Sequence, residues 1–375
     1  PGTMCAKARS ARARKDKKIL FSNEFYSDME QEDMLFAALV RSPYPSGTIS
    51  SIGLPDMGEG YSFFSWDDIP EKKNVKTLGV ETGIFCNRTI AYRGEPVGLL
   101  TGPDEQQVAE FAARVAIILE KPDSDEEEES PVPAEKAGSP AETVAFERTV
   151  RYGAEDDQTF EALFTGAQHQ IDGVWNSTLH PLSYGEPNGA FAYVKGSSLY
   201  IFTSTQWLSQ LRRTVSEVTG IAPEKIIITK TPVSDLNTNV LWRNSILAAQ
   251  VAVAACRTGK AVKLVLNREE QDRYMDNTAP VSVIYRTAVA KSGEIIALDA
   301  TIDVDIGSKN PFAKEIVDRL GIASCSIYRP KNLRIRAQAH FSHRAPFSIN
   351  LSTIDSQVFF AIENQMQRIS EKTGF

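Results

Sequence analysis

The apolar residues of this chain repeat with two different periods. Residues 35–40 form an almost unbroken apolar run that stops at Arg41-Ser42-Pro43, and residues 61–64 and 97–100 repeat the pattern, the last approached through Arg93-Gly94-Glu95-Pro96. Short apolar runs bounded by turn residues predict strands. Thr101 and Asp104 can then cap a helix with Pro103 in its first turn. Val108, Phe111, Ala112, Val115, Ile118 and Leu119 follow at helical spacing and predict a single amphipathic helix laid on a sheet.

Further along, Phe160, Leu163 and Phe164 mark a short amphipathic helix. Residues 189–194 and 199–203 predict a hairpin closed near Lys195-Gly196-Ser197-Ser198. Residues 207–219 carry the stripe Leu208, Leu211, Val215 and Val218, with Gly220 placed as the residue just past the helix. A buried strand at residues 226–228 leads into residues 245–258, which are apolar nearly all round and predict a buried helix ending at Gly259. Residues 262–266 read as another strand. Residues 281–289 and 295–304 pair around Lys291-Ser292-Gly293, and a last helix sets Phe359, Ile362, Met366 and Ile369 on one face.

Length and composition add domain limits. A chain of 375 residues can build two or three cores. Residues 1–18 are a basic arm, with Lys7, Arg9, Arg12, Arg14, Lys15, Lys17 and Lys18, and are expected to be a solvated terminus. An α+β unit spans residues 19–121. Residues 122–143 hold an acidic block at 123–129 followed by Pro131, Pro133 and Pro140, the composition of an extended linker. A larger unit covers residues 144–375. The net charge of −7 gives no reason to expect nucleic acid or an anionic membrane as partner. No window has the apolar length of a membrane span. Cys5, Cys86, Cys256 and Cys325 are scattered, as expected for a reducing cytoplasm, and neither they nor the four histidines show metal-ligand spacing. No metal site built from protein ligands is expected.

Several short motifs follow one another in a fixed order. Leu39-Val40-Arg41-Ser42-Pro43, Asp68-Ile69-Pro70 and Tyr92-Arg93-Gly94-Glu95-Pro96-Val97-Gly98 come first. Ser204-Thr205-Gln206, Thr258-Gly259-Lys260-Ala261-Val262-Lys263, Arg268-Glu269-Glu270 and Gly293-Glu294-Ile295-Ile296-Ala297-Leu298 come later. Together they resemble the molybdenum-cofactor subunit of the xanthine dehydrogenase and aldehyde oxidase family, over about residues 20–375. The resemblance implies an α+β protein: an α/β hammerhead domain followed by the first α+β domain of a molybdopterin-binding region.

It also implies chemistry. Members of the family hydroxylate an aldehyde or an N-heterocycle carbon with oxygen derived from water, and a molybdenum–molybdopterin cofactor does the redox work. By resemblance, Gln206 holds the position of a glutamine beside an apical molybdenum oxo group, where an amide donates without adding charge. Taken alone, Gln206 reads as the start of a helix capped by Ser204 or Thr205. Arg319, in Val317-Asp318-Arg319, matches a substrate-binding arginine of xanthine-oxidising members, whose fork suits planar polar rings and carboxylates. Its plainer reading is a surface pair with Asp318. His180, Glu186-Pro187, His340 and His343 read as structural, and no residue stands out as catalytic.

Two loops depart from the family pattern. The glycine-rich loop GGGFGGK is replaced by Ser234-Asp235-Leu236-Asn237-Thr238-Asn239-Val240, and the Arg-Gly-Phe-Gly loop by Ile349-Asn350-Leu351-Ser352-Thr353-Ile354. Glycine lets backbone N–H groups approach a pterin closely, and Asp235 adds a negative charge, so these loops speak against cofactor contact of the family type. Two functions are therefore expected. The first is a component of a xanthine dehydrogenase/aldehyde oxidase-like hydroxylase, a cytoplasmic heteromeric oxidoreductase. There a second-half chain completes the site, and iron–sulfur and flavin subunits are further partners. It is motivated by a length that ends where the family's two halves meet. The second is a non-catalytic paralogue that serves as scaffold or assembly partner, motivated by the altered loops.

Overall fold

The computed structural model describes residues 19–21, 24–71, 73–120, 144–179, 187–232, 241–275, 277–347 and 354–375. The basic arm, the acidic linker, His180 and both altered loops up to Thr353 lie outside the described residues. The chain forms two compact units, each drawn from two stretches of sequence: residues up to 131 with 183–275, and residues 132–182 with 276–375. Elements are numbered along the chain over both units.

The first unit opens with β1 (Ile19–Phe21), β2 (Leu35–Arg41), β3 (Gly47–Gly53), β4 (Ser62–Ser65), β5 (Asn74–Thr77), β6 (Val80–Gly83), β7 (Thr89–Ile90), β8 (Pro96–Gly102), α1 (Glu105–Arg114) and β9 (Ala116–Leu119). Its later stretch supplies β12 (Gly189–Lys195), β13 (Ser198–Thr203), α3 (Leu208–Thr219), β14 (Ile226–Lys230), α4 (Arg243–Thr258), β15 (Val262–Val265) and α5 (Arg268–Tyr274). Eight strands form one sheet in the order β1-β14-β13-β12-β15-β2-β8-β4. β15 and β2 pair in parallel, Val262 opposite Leu35, which joins the two stretches of sequence in one sheet.

The core follows from the composition of α4. Leu247, Ala248, Ala249 and residues 251–255 are buried against Ala190, Ala192, Leu199, Ile201, Ile226 and Ile228 of the sheet. Alanine brings the helix close to the strands, so both sides of α4 can be covered without voids. Gly220 and Gly259 terminate α3 and α4 at φ +71° and +69°, the left-handed conformation that glycine takes without a Cβ penalty.

The apolar stripe of residues 108–119 is not one helix. α1 stops at Arg114, capped at its start by Asp104, which accepts from the Gln107 amide at 2.8 Å. Residues 116–119 are strand β9, antiparallel to β3 with Ile117 opposite Ile52. The β-branched run of Val115, Ile117 and Ile118 packs better on a pleated edge than in a helix. Alternation then buries Ile117 and leaves Ile118 52% exposed.

The second unit contains β10 (Val144–Tyr152), α2 (Asp157–Thr165), β11 (His169–Ser177), β16 (Val281–Val289), β17 (Ile295–Asp305), α6 (Ala313–Ala323), β18 (Asn332–His340) and α7 (Ile354–Thr373). Its sheet runs β10-β18-β17-β16-β11, antiparallel except for the β17–β18 pair. α7 buries Val358, Ala361, Ile362, Gln365 and Ile369, so Phe359, expected on that face, instead stands exposed. Buried stripes follow the 3.6-residue period, and Phe359 falls just outside this one.

A row of charge crosses this sheet from edge to edge. Cross-strand register aligns Arg151, Arg334, Asp299, Arg286 and Asp172. Asp299, 2% exposed, accepts from Arg334 at 2.7 and 3.1 Å and from Arg286 at 3.4 Å, while Arg336 reaches it at 3.3 Å. Glu161 on α2 closes the row over Arg286 at 2.9 Å and Arg334 at 2.6 Å, and the two guanidinium groups lie 4.5 Å over Phe164 and Phe160.

Candidate functional site

In an α/β sheet, ligand sites gather beyond the carboxyl ends of parallel strands. In the first unit that edge belongs to β13 and β14, each of which is followed by a helix. β13 ends in Thr203, and Ser204 and Thr205 follow, all three buried. The Thr203 hydroxyl donates to the Gly189 carbonyl at 2.6 Å, and the Thr203 carbonyl accepts from the Thr231 amide at 3.2 Å, which ties the end of β13 to the residue after β14. Asn244, in the first turn of α4 and fully buried, donates through Nδ2 to the Ser204 carbonyl at 2.7 Å and to its Oγ at 3.3 Å.

Gln206 is exposed at the end of this buried frame. It precedes α3 rather than starting it: the helix begins at Leu208, and its cap residue Trp207 makes no side-chain cap bond. Thr205 does supply the expected hydroxyl, since its Oγ1 accepts from the Trp207 amide at 3.1 Å. Arg319 lies in the second unit, on α6. Its guanidinium grips Asp355 in the first turn of α7, at 3.2 and 2.6 Å. Asp318 turns instead to Arg148 and to Lys314, the latter at 2.8 Å. The two residues singled out by resemblance therefore belong to different compact units.

Three further side chains bracket the β14–α4 connection. Thr231 Oγ1, Asn244 Oδ1 and Ser245 Oγ are buried and have no hydrogen-bond partner among the described residues. The sequence signal for them was available. Trp242-Arg243-Asn244-Ser245 puts polar groups at the head of an otherwise apolar helix, where the free amides of a first turn lie. Arg243 is also buried, at 8% exposure. Its charge acts on Tyr92 of the hammerhead segment. Burial pushes the Tyr92 hydroxyl up to about 12, the Glu95 charge adds to this, and Arg243 and Arg41 oppose it.

The motifs that carry the resemblance meet in a clamp. Arg41 donates to Glu270 at 3.0 Å and to the Gly94 carbonyl at 3.1 Å, and lies 4.7 Å over the Tyr274 ring. Glu270 completes a capping box with Asn267 at the start of α5. Gly94, at φ +88°, is required here because a Cβ would meet the Tyr274 ring at 2.0 Å. Arg41-Ser42-Pro43, Arg93-Gly94-Glu95-Pro96 and Arg268-Glu269-Glu270 thus form one structural joint.

The geometry defines an α/β hammerhead joined to a molybdopterin-binding fold, and comparison with known proteins agrees. The aldehyde oxidase and xanthine dehydrogenase a/b hammerhead domain matches residues 22–121, and the molybdopterin cofactor-binding domain matches residues 139–375. The chain belongs to the xanthine dehydrogenase and aldehyde oxidase family of molybdenum-cofactor-binding proteins. It is similar to xanthine dehydrogenase of Dictyostelium discoideum, 23% identical over 367 residues, covering 96% of this chain and 26% of the relative. It is also similar to a probable xanthine dehydrogenase subunit of Bacillus subtilis, 21% identical, covering 95% of this chain and 48% of the relative. The chain thus spans about a quarter to a half of these relatives. Among solved structures, the aldehyde oxidoreductase of Desulfovibrio desulfuricans superposes with a TM-score of 0.79 at 19% identity, over 94% of this chain and 40% of that one. The Cu,Mo-CO dehydrogenase reaches 0.76 at 15% identity, over 98% and 48%.

The end of β13 presents an amide side chain, a neutral group that both donates and accepts. Exposed Gln206 follows two residues after Ser204, whose carbonyl and hydroxyl are both held by Asn244, so the backbone leading to it is anchored. Among the described residues no cluster of His, Cys, Asp or Glu could hold a metal ion by itself, and no helix is long and apolar enough to cross a membrane.

Proposed function

We propose that this chain furnishes one wall of the cofactor site in a xanthine dehydrogenase/aldehyde oxidase-type molybdenum hydroxylase. The observation that carries the reading is the lock between Asn244 and Ser204, which holds Gln206 at the carboxyl edge of β13. When bound, the molybdenum–pterin group supplies the oxidation of a substrate carbon with oxygen derived from water. Gln206 orients that group by donating from its amide. Arg319 holds a polar or anionic substrate, and to do so its fork must exchange Asp355 for the ligand. Protein beyond these residues completes the site and contributes iron–sulfur and flavin groups as partner subunits. Cys86, Cys256 and Cys325 are free thiols, which fits a reducing, cytoplasmic compartment.

A second reading is favoured by one specific observation, the absence of glycine from residues 234–240. Without close backbone approach the chain would act as a scaffold or assembly partner that keeps the fold. Molybdenum and pterin content of the natively purified complex separates the two. Molybdenum near one per protomer, falling several-fold in Gln206→Ala, supports the hydroxylase reading. A complete complex without molybdenum or pterin establishes the scaffold.

A further inference from the structure

We infer that the cleft between the β5–β6 hairpin and α3 is a binding site for a planar aromatic anion. All of its lining residues belong to the first unit, and the site is independent of the cofactor reading, which rests on Gln206. The cleft encloses about 720 Å³, a size usual for small-molecule sites. Lys73, Lys76 and Leu78 line it from the hairpin segment, and Trp207, Gln210 and Arg213 line it from the start of α3.

The hairpin turn supplies the first observation. Thr77 pairs with Val80, so Leu78 and Gly79 form a two-residue turn, at φ +48° and +92°. A turn with both central residues left-handed favours Asn-Gly or Asp-Gly, and a bulky side chain at positive φ is strained. Leu78 stands there instead and is 50% exposed. Neither local conformation nor burial in a core accounts for leucine at this position. On the cleft it adds apolar surface to that of the half-buried Trp207 ring.

Charge selects the sign of the ligand. Arg213 donates through Nη2 to the Lys76 carbonyl and, at 2.8 Å, to Gln210 Oε1. Gln210, only 5% exposed, is itself anchored by donating to Thr77 Oγ1 at 3.0 Å. Neutral acceptors therefore hold the guanidinium in place, and its Nε and Nη1 have no partner among the described residues. A cation already positioned and without a counter-charge favours an anion, with little side-chain entropy left to lose on binding. Lys73 and Lys76 add two positive charges, against the carboxylates of Glu81 and Glu217. The lining is positive on balance, and its apolar pair calls for a ring on the anion.

The test is calorimetric titration of the full chain with 2-naphthoate and with its neutral and cationic counterparts, 2-naphthamide and 2-naphthylmethylammonium. One molecule of 2-naphthoate is expected to bind saturably, about tenfold or more tightly than either counterpart. Arg213→Gln is expected to weaken 2-naphthoate about tenfold and leave 2-naphthamide unchanged, whereas Trp207→Leu weakens both. Leu78→Asn suits the turn, so it should raise the melting temperature while weakening 2-naphthoate binding. A merely structural leucine would lose stability instead. The proposal is overturned by absence of saturable binding at about 1 mM 2-naphthoate. It is equally overturned by either counterpart binding as tightly, by unchanged 2-naphthoate affinity in Arg213→Gln or Trp207→Leu, or by a lowered melting temperature in Leu78→Asn. The readout is heat of ligand binding, not molybdenum content, so its failure leaves the hydroxylase reading untouched.

Discussion

Asp299 is the residue on which the second unit's charge row depends. It is buried, and it faces Arg334, itself 4% exposed at the side chain, with Arg286 and Arg336 alongside. Such a carboxylate is costly to desolvate and more costly to remove, because truncation takes away the one buried counter-charge of Arg334 and leaves it only the more exposed Glu161 and Asp157. Asp299→Ala is expected to lower unfolding free energy by about 3–5 kcal/mol, read as a shift in urea midpoint. Glu161 gives a second residue-scale test. Hydrogen bonds from Arg286 and then Arg334 draw its carboxyl down from 4.5 to about 2. A depressed folded value means that the stabilisation is fully present above 4.5 and is lost as pH falls through about 2. Wild type should therefore exceed Glu161→Gln in melting temperature at neutral pH, with the gap closing over that acidic window. A gap that stays constant down to about 2 would contradict the assignment.

At the scale of elements, the decisive piece is α4. Its alanines are fully buried against β12 and the neighbouring strands, and Gln250, also within the helix, donates to the Ile84 carbonyl of the hammerhead segment. A close helix–sheet approach leaves no room for larger side chains. Ala252→Leu is expected to cost about 1–3 kcal/mol through forced repacking, measured by chemical denaturation, whereas a surface alanine would tolerate leucine. The same closeness explains how the helix head is held. With the body of α4 fixed against the sheet, Asn244 can sit rigidly on Ser204. The stripe of residues 108–119 teaches the opposite lesson. Its apolar spacing fits one helix, yet β3 offers a pairing edge and the β-branched residues take it.

For the whole molecule, the two compact units draw on interleaved stretches of sequence, and the two residues suggested by resemblance fall one in each. On the proposed hydroxylase reading, the complete complex is expected to hold molybdenum and pterin, with both falling several-fold in Gln206→Ala without loss of assembly. If Gln206→Ala left cofactor content unchanged, the role given to that amide would fall.

Most of the secondary structure, and the family, can be read from the order of residues alone. The hairpin of β12 and β13, the buried helix α4 and the terminal glycines Gly220 and Gly259 follow from local periodicity and backbone sterics, which need no distant partner. The motif order likewise survives in one dimension. What those motifs do emerges only once the chain is folded. Arg41, Gly94 and Glu270 are distant in sequence and meet in one clamp. Arg319 pairs with Asp355 rather than with its neighbour Asp318. Asp299 collects three arginines through strand register. Nor does the linear chain show that the oxygens of Thr231, Asn244 and Ser245 are buried without partners among the described residues. Burial and hydrogen bonding across the fold are properties of packing, and linear spacing carries neither until the strands have found their neighbours.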